Sequence, residues 1–269
     1  MTAAEKVAIA RNSARPGITD YIDALFTDFF QQRGDRLCGE DVSIFGGIAL
    51  FHGCPVTVIG TRKGKNLEEN LICNFGMPNP EGYRKARRLM KQAEKFDRPI
   101  FTFIDTPGAY PGLEAEARGQ GEAIARNLAA MSLLTVPVIT VITGEGNSGG
   151  ALALGVGNTV LMLQNAVYSI LSPEGFASIL WKDSSRSGEA CELMKLTADD
   201  LMKLGIVDGI IREPKGGAQN DPDTMFHLLD SALTKNLGIL QKSSGSALAA
   251  ARYQKFRRMG MMLPQKEKV

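Results

Sequence analysis

Apolar residues recur along this chain with two different periods. Between Ile18 and Arg33 they fall at helical spacing, with Tyr21, Leu25 and Phe29 on one face and Thr19-Asp20 near the start, which predicts an amphipathic helix over 18–33. Beyond the polar turn at Gly34-Asp35, two β-rich runs (47–51 and 55–59) flank His52-Gly53-Cys54, and this pattern predicts a hairpin. Residues 64–78 are polar and read as a loop. Asn79-Pro80-Glu81 then opens a helix with a capping residue and proline at its first position; Tyr83, Ala86, Met90 and Ala93 form its buried stripe.

From residue 99 the pattern alternates. A strand over 99–105, a Gly/Pro loop and a helix near 119–134 are followed by a strand over 136–142, a second glycine loop and a short helix from about Gly149. Strands are predicted again at 159–163 and 168–171, then helices, then a strand within 205–211, and finally helices over 221–238 and 246–258. Repeated strand–loop–helix order predicts βαβ units with right-handed crossovers. Neither a linker nor an internal repeat divides the chain. It reads as one α/β domain over 1–269, with an N-terminal helical segment of about 1–35 and C-terminal helices over about 221–258.

Composition narrows the chemistry. The 269 residues are 44% hydrophobic and 22% charged, which opposes disorder, and a net charge of +2 excludes a strongly basic nucleic-acid binder as the default. No apolar run is long enough to span a membrane, and Met1 to Lys6 lacks a signal core, so a cytoplasmic protein is expected. Cys38, Cys54, Cys73 and Cys191 form no CxxC, which argues for plain thiols rather than a zinc ribbon or a disulfide framework. Only His52 and His227 are available, in unrelated settings, so neither a histidine metal site nor a Ser-His-Asp relay is expected. No metal is assigned. The 29 glycines are the excess to explain.

Two glycine segments follow successive strands: Asp105-Thr106-Pro107-Gly108-Ala109-Tyr110-Pro111-Gly112, and Gly144-Glu145-Gly146-Asn147-Ser148-Gly149-Gly150-Ala151. In an open α/β sheet, the loops leaving the carboxyl ends of strands form the ligand crevice. The first N–H groups of a helix lack internal partners and suit an oxygen that is gaining negative charge, at about 3–4 kcal/mol per donor by analogy with side-chain donors. Gly146-Asn147-Ser148-Gly149-Gly150 has the letters of a trypsin-type nucleophile segment, but the βαβ pattern and the histidine count oppose that reading. Gly144 to Gly149 also spells GxGxxG, yet it follows a late strand and lacks the acidic partner of a dinucleotide site.

The chain resembles the carboxyltransferase α subunits of bacterial or plastid acetyl-CoA carboxylase, within the crotonase superfamily. The resemblance rests on Arg15-Pro16, Gly34-Asp35-Arg36, Asn74 to Pro78, Pro80 to Ala86, Phe103 to Gly112, Arg118-Gly119-Gln120, Glu122 to Leu128 and Gly144 to Leu154. It continues through Tyr168-Ser169, Ser172-Pro173-Glu174-Gly175, Ala177 to Lys182, Glu213-Pro214 and Gly216-Gly217-Ala218. It departs at the start, where family members often carry a longer helical extension. The resemblance implies a crotonase-like (ClpP/crotonase) fold of repeated ββα units with flanking helices. It also implies transfer of a carboxyl group from carboxybiotin on a biotin carboxyl carrier protein to acetyl-CoA, giving malonyl-CoA, the first committed step of fatty acid biosynthesis. Carboxybiotin and acetyl-CoA are then substrates, and no cofactor is held covalently. The implied partners are a zinc-ribbon β subunit in an α₂β₂ heterotetramer, the carrier protein and biotin carboxylase.

Such a reaction needs oxyanion stabilisation and alignment rather than a strong side-chain base. The expected catalytic groups are the backbone N–H groups of Gly149 and Gly150, with Gly150-Ala151 as the alternative register. Gly108, Ala109 and Tyr110 are expected nearby as walls or donors, Ser148 as a turn or capping hydroxyl, and Ser172, Glu174 and Gly175 at the biotin end. The basic run Arg84, Lys85, Arg87, Arg88, Lys91 reads first as a solvated face, and Trp181 as a core or interface residue. Rival readings are a self-sufficient crotonase-type acyl-CoA enzyme, a Clp-like serine peptidase, or a non-catalytic scaffold.

Overall fold

A computed structural model describes residues 1–261. Elements run α1 (Ala3–Ala10), α2 (Ile18–Leu25), β1 (Thr27–Gln31), β2 (Ile44–Phe51), β3 (Cys54–Thr61), α3 (Leu67–Ile72), α4 (Pro80–Lys95) and β4 (Ile100–Thr106). Then come α5 (Leu113–Ala117), α6 (Gln120–Leu133), β5 (Val138–Asn147), α7 (Ser148–Gly155), β6 (Thr159–Leu163) and β7 (Val167–Ser169). The chain continues through α8 (Pro173–Trp181), α9 (Ser187–Met194), α10 (Ala198–Lys203), β8 (Gly209–Ile211), α11 (Pro222–Leu240) and α12 (Gly245–Arg258). None of these helices is long and apolar enough to cross a membrane.

The sheet has the order β1-β2-β3-β4-β5-β6-β8, with β7 paired to the far end of β5. β1, β2 and β3 are antiparallel, and the strands from β3 to β8 are parallel. Every residue of β5 is buried and all but one of β4, as central parallel strands covered on both faces require. Alternate residues of β4 show which helices lie on which face. Phe103 stacks on Tyr21 of α2, which also meets Phe226 of α11, while the hydroxyl of Thr102 points the other way and donates to Leu154 O of α7. Right-handed crossovers from β3 to β4, β4 to β5 and β5 to β6 put α4, α6 and α7 together on the Thr102 face. The site therefore lies on the α7 side of the carboxyl edge of β4 and β5.

Three predicted elements change. The helix expected over 18–33 ends at Leu25, because residues 27–31 pair with β2 as an edge strand and Asp28 turns to positive φ. The apolar spacing of Phe26, Phe29 and Phe30 imitates a helix, but sheet pairing overrides it. The polar stretch 64–78 contains α3, capped by Asn66. The second glycine segment is only half a loop: Gly144 to Asn147 continue β5, since Glu145, Gly146 and Asn147 pair with β7.

Candidate active site

β4 and β5 are neighbouring parallel strands, so the segments that leave their carboxyl ends meet. The contact is close. A Cβ on Gly150 would lie 2.4 Å from Ala109 N and 2.5 Å from Gly108 C, both backbone atoms, so only glycine fits there. Gly149 is different: a Cβ there would meet only the Ile124 side chain, at 3.5–3.6 Å.

Helix α7 begins at Ser148 directly from the strand, with Asn147 at the cap position and no capping side chain. The orphan donors of an α-helix run from the cap to its third residue, which here means Asn147 to Gly150 and not Ala151. No acidic residue occupies the first turn, so the positive end of the helix dipole is uncompensated. Among the described residues, the N–H groups of Gly149 and Gly150 bond no carbonyl outside the helix. In the opposing loop the Gly108 amide is already satisfied by Thr106 Oγ1 at 3.0 Å, and the Tyr110 amide by Pro78 O at 3.1 Å. Ala109 is left with an amide that has no partner among the described residues. Gln120, nearly fully buried, donates to Pro78 O at 2.8 Å and to Tyr110 O at 2.9 Å, and so ties this loop to the start of α6.

Ser148 and Gly149 open onto a cavity of about 720 Å³ that is otherwise largely apolar, walled by Leu152, Tyr168, Phe176, Met194, Leu201, Ile206 and Phe256. Burial pushes the Tyr168 phenol up to about 12, so it stays neutral. Ser169 donates to Asn147 Oδ1 at 2.8 Å and joins β7 to the turn.

Ser148 itself is exposed at φ +58°, on a strand-to-helix turn of the kind that displays a nucleophile. Among the described residues no group hydrogen-bonds its hydroxyl, and it does not cap α7, which corrects the capping expectation. No histidine can reach it. His52 is on the hairpin at the opposite, amino edge of the parallel strands, paired with Asp230 at 2.8 Å, and His227 lies on α11.

Ser172, Glu174 and Gly175 stand outside the cavity lining, which takes Ser169, Ile170 and Phe176 from that segment instead. Ser172 caps α8 by accepting from Gly175 N at 3.1 Å, and Glu174 pairs with Arg11 at 2.7 Å. Ser172 is used on the helix end, a local cap, whereas Glu174 is taken by a cation that the N-terminal segment brings from far along the chain. The basic run is likewise partly internal. Lys85 is buried against Glu40 and Asp41 O, and Arg84 pairs with Asp35 at 2.8 Å and Glu81 at 2.9 Å. Trp181 is half-exposed, with the Arg186 guanidinium 4.0 Å from its ring centre. Among the described residues no group of three or more His, Cys, Asp or Glu comes together as a metal would require.

Behind the glycine turn lies a charged cluster that pattern reading overlooked. Lys63 Nζ bridges Asp105 at 2.7 Å and Glu145 at 2.9 Å, and Arg11 joins Glu145 to Glu174 at 2.7 Å each. Burial drives the Glu145 carboxyl up, but Lys63 and Arg11 outweigh it and the net shift is downward. Burial likewise lowers Lys63, and Asp105 with Glu145 more than reverse this, so it stays charged. The available signal was positional: Asp105 opens the first glycine segment and Glu145 stands between Gly144 and Gly146 in the second.

A family model described as acetyl co-enzyme A carboxylase carboxyltransferase-like matches residues 1–260. An acetyl-coenzyme A carboxylase carboxyl transferase subunit alpha of Listeria monocytogenes serotype 4b is 57% identical over 261 residues, covering 97% of this chain and 82% of that relative. The one from Clostridium acetobutylicum is 55% identical over 267 residues, covering 99% and 97%. Among solved structures, transcarboxylase 12S matches 87% of this chain and 44% of its own, with a TM-score of 0.67 at 20% identity. A Pseudomonas malonate decarboxylase hetero-dimer matches 88% of this chain and 96% of its own, with a TM-score of 0.68 at 16% identity. At such identities the likeness is one of fold, and it is the crotonase-type sheet that the sequence implied.

Proposed function

This chain belongs to the acetyl-CoA carboxylase carboxyl transferase alpha-subunit family, and on that premise we propose that it transfers the carboxyl group of carboxybiotin to acetyl-CoA, forming malonyl-CoA for fatty acid synthesis. The observation that carries the site assignment is the pair of unpartnered amides, Gly149 and Gly150, at an uncompensated helix start whose first residues, Ser148 and Gly149, line an apolar cavity. Carboxybiotin gives up CO₂ by breaking its N1–carboxyl bond, and the electron pair passes to the ureido oxygen. The two glycine amides, with Ala109 N–H close by, stabilise that oxyanion in a site poor in competing water. The ureido anion then takes a proton from the methyl group of acetyl-CoA, and the resulting enolate carbon attacks CO₂. No histidine is needed, because the base is generated on the substrate.

The cavity beyond Gly149 fits the apolar part of the biotin ring, with Tyr168 and Phe176 as its walls. A name ending in "subunit alpha" implies a beta partner. We take that partner to be a zinc-ribbon β subunit in an α₂β₂ assembly that holds most of the acyl-CoA. The carrier protein and biotin carboxylase supply carboxybiotin, residues 1–269 act as one domain, and the assembly works in the cytoplasm. The fold neighbours agree in kind: transcarboxylase 12S is more than twice the length matched here, whereas the malonate decarboxylase chain is matched almost whole and sits in a hetero-dimer. The test is reconstitution. The isolated chain should form no malonyl-CoA from carboxybiotin and acetyl-CoA, and should gain activity on addition of the β subunit. Turnover by the chain alone, or none from the complete assembly, refutes the reading.

A further inference from the structure

The pairing of β4 with β5 breaks register just below the site. Ile104 faces Ile142 and Thr106 faces Gly146, so β5 runs four residues where β4 runs two. Such bulges bend a strand and re-aim the residues beyond them. Here the extra residues bring Gly149-Gly150 up against Gly108-Ala109. A bulge also frees backbone polar groups, and each partner found for them comes from a distant part of the chain. Glu145 N donates to Asp105 Oδ1 at 2.9 Å, Arg15 Nη2 donates to Thr143 O at 2.7 Å, and Thr143 Oγ1 donates to Ile104 O at 3.2 Å.

Asp105 can hold that amide only while it lies beside Glu145, another carboxylate. Lys63 Nζ sits between them, 2.7 Å from one and 2.9 Å from the other. These charges line a different cavity from Ser148 and Gly149, one shared with Arg11, Arg15 and Pro107, so they do not face the reacting groups. We propose that Lys63 is a positioning residue for carboxyl transfer: it bridges Asp105 and Glu145 so that Asp105 can staple the β5 bulge, which sets the spacing between the Gly149-Gly150 amides and Ala109. Arg11 extends the same ladder to Glu174 on α8, and Arg15 is locked by a bidentate pair with buried Glu213. The N-terminal segment thus clasps the site from behind.

The proposal rests on the carboxyltransferase reading, and the experiment separates the two. In the reconstituted assembly, wild-type turnover tests the reading and Lys63→Met tests the ladder. Lys63→Met keeps the length of the side chain but removes the bridging charge. Its kcat per assembled site should fall on the order of 100-fold, the cost of about 1 Å of misplacement, with KM for acetyl-CoA within about threefold. Lys63→Arg should recover most of the loss. Adding Glu145→Gln to Lys63→Met should recover part of it, by removing one of the two repelling charges. Hydrogen exchange on the same assemblies should show the Glu145 amide deprotected in Lys63→Met while the sheet core stays protected. If Lys63→Met fails to assemble, Lys63→Gln is measured in the same way. Unchanged kcat with wild-type activity intact overturns the proposal. So does a loss that neither Lys63→Arg nor Glu145→Gln relieves, which would mark simple destabilisation.

Discussion

Replacing Gly150 by alanine is the sharpest perturbation of the site, because adjacent Gly149 provides an internal control. At Gly150 the added methyl lies 2.4 Å from Ala109 N, against about 3.4 Å for an ordinary contact, and both opposing atoms are backbone. About 1 Å must therefore open between the two segments that carry the amides. A displacement of that size costs on the order of 100-fold in rate, or about 2.7 kcal/mol in the barrier. Overpacking costs a further 1–3 kcal/mol in stability, roughly, partly offset by about 1 kcal/mol of helix propensity gained on replacing glycine. At Gly149 the methyl meets only Ile124, at normal contact distance, and the amide is retained. Gly149→Ala should keep turnover within about threefold and be slightly stabilised. Both variants are assayed for malonyl-CoA formation per assembled α/β unit, with assembly measured by size exclusion and light scattering, and stability by thermal melting. Near-wild-type turnover in Gly150→Ala, or equal damage from the two variants, would refute the assignment of these amides.

The other predictions concern groups around the site. Ser148→Ala should leave turnover within about threefold, since nothing activates the hydroxyl; a loss of 100-fold or more would put Ser148 Oγ in the chemistry. Asp35 predicts a pH dependence of stability. Burial pushes its carboxyl up, but Arg84 and the amides of Leu37, Gly39 and Cys38 pull it down to about 2, below the ordinary 3.8. A depressed carboxyl stabilises the fold fully above its unfolded value, and that contribution is lost as pH falls through about 2. Asp35→Asn should therefore be less stable by about 2 kcal/mol at pH 7, with the gap closing between about pH 4 and 2 in urea unfolding curves. A gap that does not change with pH would contradict the assigned cause.

What could be read from sequence here is what local chemistry controls. The hairpin at His52-Gly53, the proline-started helix at 80, the alternation of strands and helices and the first glycine loop depend on residues close in sequence, and the structure has them. The long family blocks carried the activity. The unpaired amides at the start of α7 were also nearly legible, because helix starts leave predictable amides unpaired. The places where local reading went wrong are those that distant partners decide. Residues 27–31 continue the helical apolar spacing and became a strand because β2 offered an edge. Glu174 is expected at the biotin end, and it pairs instead with Arg11, 163 residues away. The charged staple is wholly tertiary. It gathers side chains from the residue after α1, the loop after β3, and from β4 and β5, and each acquires its role only when the others are already in place. Periodicity records which face of an element is buried; it carries no information about which charges will meet behind it. Sequence alone determined which atoms can stabilise an oxyanion, and the tertiary structure decided how they are held in register: backbone amides are set by one helix, whereas their spacing is set by a bulge whose partners lie far apart in the chain.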